Sequence, residues 1–204
     1  MASVILYYIH PGQQHSHTNR QMQNAAGQIE NIERVDLYHE YPRFNINIDK
    51  EQQRLVEHDV VVLQFPVFWY SGPSLLKEWI DLVLEYGFAY GSNGNSLTGK
   101  KLVLAVTAGG PEYAYSPEGY QNHSLRTFLT PFQQTATLCK MEFTPPYVLY
   151  NSLQTEDTAR IEKHADGFAR LIEAARDDRL DYSALSAMDT FGFEDLGQLT
   201  GDNA

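Results

Sequence analysis

With 204 residues, 43% of them hydrophobic and 20% charged, the chain is long enough for one α/β domain with a full core and is not composed like a disordered segment. A formal net charge of -11 repels phosphate backbones and anionic lipid. It argues against nucleic acid as a partner and against direct membrane insertion or adsorption, though not against docking on a membrane protein. The single cysteine, Cys139, excludes a disulfide framework or a Cys-based zinc site within one chain, and its apolar surroundings read as a buried structural thiol.

The elements follow in chain order from apolar runs and punctuating residues. Residues 3–9 form an apolar β-branched run without a basic leader or cleavage pattern, so they read as a first strand of a cytoplasmic protein, not a signal peptide. A loop at 10–17, containing Pro11 and Gly12, leads to a helix over 18–28. A strand at 33–37 is followed by a long polar connection, 38–47, and a helix over 50–57 with Asp49 as its cap. The third strand is 60–64, and Pro73 opens a helix over 73–83. A strand at 101–106, a Gly/Pro-rich loop at 108–122 and a helix at 124–137 come next. A fifth strand at 140–147 and a helix at 156–176 complete the alternation. No run reaches the about 18 apolar residues of a membrane helix. Strands alternating with helices predict an α/β fold, a doubly wound five-stranded parallel sheet of order 2-1-3-4-5. The tail from 180 onward is acidic, contains no basic residue, and carries Phe191 and Phe193; it reads as a loosely docked extension.

Three loops follow strands one, three and four, at the sheet edge where open α/β folds bind ligands. The first is His10-Pro11-Gly12-Gln13-Gln14-His15-Ser16-His17-Thr18-Asn19-Arg20. Hydroxyls and free amides at a helix start suit a phosphate, and a protonated His10 or His17 would add charge; a simple polar turn with a Ser or Thr cap fits the spacing equally well. Three histidines in this loop raise zinc, but no carboxylate or thiol sits among them. The second is Phe65-Pro66-Val67-Phe68-Trp69-Tyr70-Ser71-Gly72-Pro73, where aromatics either line a planar ring or belong to the core. The third begins Thr107-Ala108-Gly109-Gly110-Pro111 and contains Tyr113, Tyr115 and Tyr120. Paired glycines let backbone amides meet negative charge, or simply make a tight turn.

Together with Tyr41-Pro42-Arg43-Phe44 and Gly87-Phe88-Ala89-Tyr90-Gly91, these loops resemble the flavodoxin-like NAD(P)H:quinone oxidoreductases, and within them the ancillary oxidoreductase subunits of the Kef glutathione-gated potassium efflux systems. The resemblance spans about residues 3–176. It implies a non-covalent flavin, FMN in preference to FAD, and NAD(P)H as co-substrate, within a flavin-binding domain over 1–178 followed by the acidic extension 179–204. Ser16, His17, Thr18 and Asn19 would hold the flavin phosphate with His10 nearby. Pro66, Val67, Phe68, Trp69 and Tyr70 would line the ring, and Thr107, Ala108, Gly109, Gly110 and Pro111 would meet its pyrimidine edge. Tyr115 matches an active-site tyrosine. The family commonly has Gln at the position of Phe68, and a histidine used by some relatives falls near Gln121, with His123 two residues on.

The implied reaction is ping-pong hydride transfer from NAD(P)H through the flavin to a quinone or other small electrophile. Two alternatives stay open: a regulatory subunit docking on a potassium efflux transporter at the inner face of the membrane, or a flavodoxin-type electron carrier. Relatives imply a homodimer, to which the aromatic stretch 86–90 could contribute, though it could equally pack on its own core.

Overall fold

The computed structural model describes residues 1–12, 16–154 and 156–201. His15, one of the three loop histidines, lies outside them. Six strands form one sheet: β1 (Val4–Tyr8), β2 (Glu33–Asp36), β3 (Val60–Pro66), β4 (Lys101–Thr107), β5 (Glu142–Phe143) and β6 (Tyr147–Leu149). The order is β2-β1-β3-β4-β5, all pairings parallel, with β6 also on β4. The predicted 2-1-3-4-5 order is therefore observed. β1 and β3 are buried at every position, as parallel strands covered on both faces must be.

Helices cover both faces: α1 (His17–Ala26), α2 (Leu37–Glu40), α3 (Ile48–Glu57), α4 (Ser74–Val83), α5 (Leu125–Phe128), α6 (Thr130–Leu138) and α7 (Thr158–Arg176). One core packs α3, α4 and α6 on the sheet, the other α1 and α7. Cys139 is buried in the first core, and burial pushes its thiol up from its ordinary range.

Several boundaries depart from the sequence reading. The expected strand 140–147 is two short pieces, because Pro145 and Pro146 between them lack the N–H a ladder needs. The helix expected over 124–137 is broken at Leu129, and Pro131 takes the first turn of α6. Within the polar connection α2 forms a short helix, its start held by Asp36, which accepts from His39 N. Asn47, not Asp49, caps α3, accepting from Lys50 N at 3.1 Å.

The tail is not loosely docked. Helices α8 (Tyr182–Ser186) and α9 (Leu196–Thr200) bury Leu185, Leu196 and Leu199, and Leu180 and Phe191 are buried with them. Phe191 bridges β6 through Val148 N to Phe191 O at 2.9 Å and Phe191 N to Pro146 O at 3.1 Å. The acidic composition masked a set of apolar side chains that cover an otherwise open sheet edge.

Glu51 of α3 is fully buried and accepts from Tyr7 Oη (2.7 Å), Trp79 Nε1 (2.9 Å), Tyr41 Oη (2.7 Å) and Arg54 Nη1 (2.6 Å). One carboxylate thus ties β1, α3, α4 and the β2–α3 connection together.

Candidate functional site

The C-terminal ends of β1, β3, β4 and β6 open on a cavity of about 600 Å³, within the range of small-molecule sites. It is lined by His10, Pro11, Gly12, Ser16, His17, Thr18, Asn19, Pro66, Val67, Phe68, Thr107, Gly109, Ser152 and Leu153.

One wall is the start of α1. Ser16 occupies the cap position in an extended conformation, yet its side chain makes no capping hydrogen bond, and the first turn contains no acidic residue. The positive end of the helix dipole is thus left uncompensated beside the cavity. Asn19 is buried. Its Nδ2 donates to Thr107 Oγ1 at 3.0 Å, and its carbonyl accepts from Gln64 Nε2 at 3.0 Å, so α1 is locked to the ends of β3 and β4. Asn19 Oδ1 is buried without a partner among the described residues. Thr18 Oγ1 donates to Ser152 O at 3.3 Å.

His10 does not bring the positive charge considered for it. It is buried, burial lowers its pKa, and Nδ1 accepts from Gly12 N at 3.1 Å. In the neutral ring the proton then sits on Nε2.

The second loop is a two-residue hairpin. Phe68 and Ser71 exchange both backbone hydrogen bonds, at 2.9 and 3.0 Å, and the two residues between them, Trp69 and Tyr70, have φ of 48° and 64°. Such a turn favours Asn-Gly; bulky aromatics there cost about 1–2 kcal/mol each. Phe68, where the family commonly has Gln, has its N–H committed to Ser71 O. Its ring lies edge-on to His10 at 5.9 Å. Trp69 is 93% exposed, and Tyr70 packs on Phe128 at 4.8 Å; neither lines the cavity. Trp69→Asn should raise stability by about 0.5–1 kcal/mol, because Asn tolerates positive φ and no packing is lost. A lower midpoint in urea denaturation would show that the turn is not strained.

The third loop places Thr107 and Gly109 in the cavity wall. Ala108 is fully buried in the core, its N–H bonded to Leu149 O at 2.9 Å. A Cβ at Gly109 would meet Leu153 at 3.1 Å, and one at Gly110 would meet the Tyr120 hydroxyl at 3.1 Å and the Tyr115 ring at 3.2 Å, so both positions are tight. Pro111 precedes a 3₁₀ turn, Glu112–Ala114. Tyr115 is half-buried between Tyr150 (5.6 Å) and Phe128 (6.3 Å) and does not line the cavity. Burial raises its pKa, with the Gly110 backbone opposing, so the phenol stays protonated at neutral pH. His123 is exposed, edge-on to Phe128 at 5.8 Å.

Ser152 and Leu153 escaped sequence reasoning. They follow β6 on the same sheet edge, and Ser152 N donates to Ala108 O at 3.0 Å. The signal was there: a polar stretch after the last strand must emerge beside the other three loops.

A parallel 2-1-3-4-5 sheet with an anion-ready helix start and a cavity at the switch point defines the flavodoxin-like class. The chain belongs to the family described as having the flavodoxin-like fold, which matches residues 3–172. It is 42% identical over 169 residues to the glutathione-regulated potassium-efflux system ancillary protein KefG of Cronobacter sakazakii, covering 83% of this chain and 91% of that protein. Among solved structures, the general stress protein 14 of Treponema denticola in complex with FMN is 33% identical with a TM-score of 0.77, covering 86% and 98% of the two chains. An NADPH-quinone reductase from P. pentosaceus is 27% identical with a TM-score of 0.70, covering 83% and 98%. No helix among the described residues is long and apolar enough to cross a membrane.

Proposed function

We propose that the protein is a flavin-dependent NAD(P)H oxidoreductase that reduces quinones, with FMN held in the 600 Å³ cavity. The uncapped start of α1 carries this reading: a helix end with buried Ser16, Thr18 and Asn19, no acidic neighbour and no capping side chain suits a phosphate. The FMN complex of the related general stress protein 14 supports the choice of FMN.

The flavin supplies hydride transfer between NAD(P)H and quinone, the two substrates taking turns in one cavity. The chain's own residues bind and orient. Ser16, His17, Thr18 and Asn19 hold the phosphate. Pro66, Val67 and Phe68 face the ring from β3, with Trp69 and Tyr70 at the rim. Thr107 and Gly109 approach it from the end of β4, with the Gly109 amide as a donor to negative charge, while Ala108 stays in the core and Gly110 and Pro111 carry the loop away. Neutral His10 offers an Nε2 proton beside the site. Tyr115, kept protonated, donates a hydrogen bond to the quinone oxygen from the loop behind Gly110. The flavin-binding unit takes in residues 1–178, with the described part of the extension, 179–201, seated on it, and it works as a homodimer.

Purified protein given FMN should turn yellow, and the released cofactor should have the mass of FMN. A protein that stays colourless overturns the proposal. Ser16→Asp is the sharper probe. Asp caps helices well but places a carboxylate where the phosphate would sit, so stability should hold while FMN affinity falls at least about tenfold. The similarity to KefG favours a second role, docking on a potassium efflux transporter; co-purification with such a transporter from detergent extracts tests it, and retrieval of the enzyme alone would count against it.

A further inference from the structure

The C-terminal extension reaches the side chains that pack around Tyr115. Residues 188–191 lie beyond the residues 3–172 that match the family. Phe191 anchors them to the sheet, its backbone bonded to Val148 N and Pro146 O. From that anchor the segment meets two neighbours. Arg126 of α5 donates from Nη1 to Met188 O at 3.1 Å and to Asp189 O at 3.3 Å. Thr190 Oγ1 lies 3.5 Å from the Tyr150 hydroxyl, and either oxygen can donate.

Both contacts lead to one side chain. Phe128, in the same short helix as Arg126, meets the Tyr115 ring edge-on at 6.3 Å and 81°. Tyr150 packs on the Tyr115 ring from another side at 5.6 Å and 42°. The rings that hold Tyr115 are thus each tied to the tail.

The loop carrying Tyr115 does not fix that position alone. Among the described residues the backbone hydrogen bonds of 111–122 close within the loop, as from Tyr115 N to Glu112 O at 2.9 Å, Gln121 N to Ala114 O at 3.1 Å and Asn122 N to Gly119 O at 2.9 Å. Such bonds shape the loop and leave its seating on the sheet to side-chain packing. Helix α5 spans only Leu125–Phe128, and a single turn holds its place through tertiary contacts.

We propose that residues 188–190 brace Tyr115, with Arg126 and Thr190 as positioning residues for the acceptor side of the reaction. Arg126 fixes α5 and with it the Phe128 ring; Thr190 fixes the Tyr150 ring; the phenol is set between them. None of Arg126, Met188, Asp189 and Thr190 lines the flavin cavity, so the brace acts through Tyr115. Its catalytic consequence rests on Tyr115 being the hydrogen-bond donor to the quinone oxygen.

The test uses the full chain with FMN in excess and has two readouts. In hydrogen exchange, Arg126→Met should speed exchange of amides 112–121 at least about threefold and leave those of α1 unchanged. Arg126→Lys, which keeps a donor for one carbonyl, should restore most of the protection. Thr190→Val, of nearly the same shape, should act in the same direction by about twofold. In turnover with NADPH or NADH and para-benzoquinone, Arg126→Met should lower kcat/KM for the quinone at least about threefold and leave kcat/KM for the donor unchanged. In a Tyr115→Phe background the same substitution should lower the quinone value no further. The brace is overturned if exchange over 112–121 is unchanged in both Arg126→Met and Thr190→Val, if donor and quinone lose equally, or if the Arg126→Met effect persists undiminished in Tyr115→Phe. Exchange that responds as stated in a protein without flavin turnover supports the brace and overturns the oxidoreductase reading alone.

Discussion

Replacing Glu51 by Leu should destabilise the protein by about 3–5 kcal/mol, the cost of removing one partner from a buried charged network. The hydroxyls of Tyr7 and Tyr41, the indole N–H of Trp79 and the Arg54 guanidinium all converge on its two oxygens. Loss of the carboxylate leaves three buried donors and a part-buried cation; Arg54 keeps its hydrogen bond to Glu33 at 2.7 Å and a longer ion-pair contact with Glu40 at 3.9 Å. For a chain of this size the expected fall in Tm is on the order of 10 °C. A melt within about 2 °C of wild type would mean that the network is satisfied by water or relaxes without strain.

His164 should make the protein acid-sensitive well above the carboxylate range. Its pKa is lowered from 6.5 to about 3 by burial and by Arg160. The folded state holds the neutral ring, while the unfolded chain takes up a proton near pH 6.5. The stabilisation is complete above that pH and is lost progressively as pH falls from 6.5 toward 3. At 1.36 kcal/mol per pH unit, about 2 kcal/mol should be gone by about pH 5. The difference between wild type and His164→Leu, followed by urea denaturation across this range, isolates the contribution from other titrating groups. A pH-independent difference would show that His164 is not held neutral. Since Tyr147 and Phe193 pack on the ring, hydrogen exchange of the tail amides should increase over the same interval.

The strands and the ligand edge were legible because the information is local. A short apolar run opened by three valines, such as 60–63, reads as a strand covered on both faces, and punctuation by Pro73 and by Gly109-Gly110 marks where loops leave the sheet. The flanking detail was less legible. Asn47 and Asp49 are both good caps, and which one is used depends on where the chain enters α3. The break at Pro145-Pro146 was readable from proline chemistry alone and should have divided the last strand.

By itself, then, the sequence determined the fold class, the strand order, and the three loops that could hold a phosphate and a planar ring, since each rests on neighbours a few residues apart. Tertiary structure alone decided the rest. Glu51 meets Tyr7 across 44 positions and Trp79 across 28. Ser152 and Leu153 complete a cavity begun at His10, and the tail encloses His164 with no hydrogen-bond partner for its ring among the described residues. These are long-range closures, whose geometry depends on how whole elements pack and leaves no trace in local pattern.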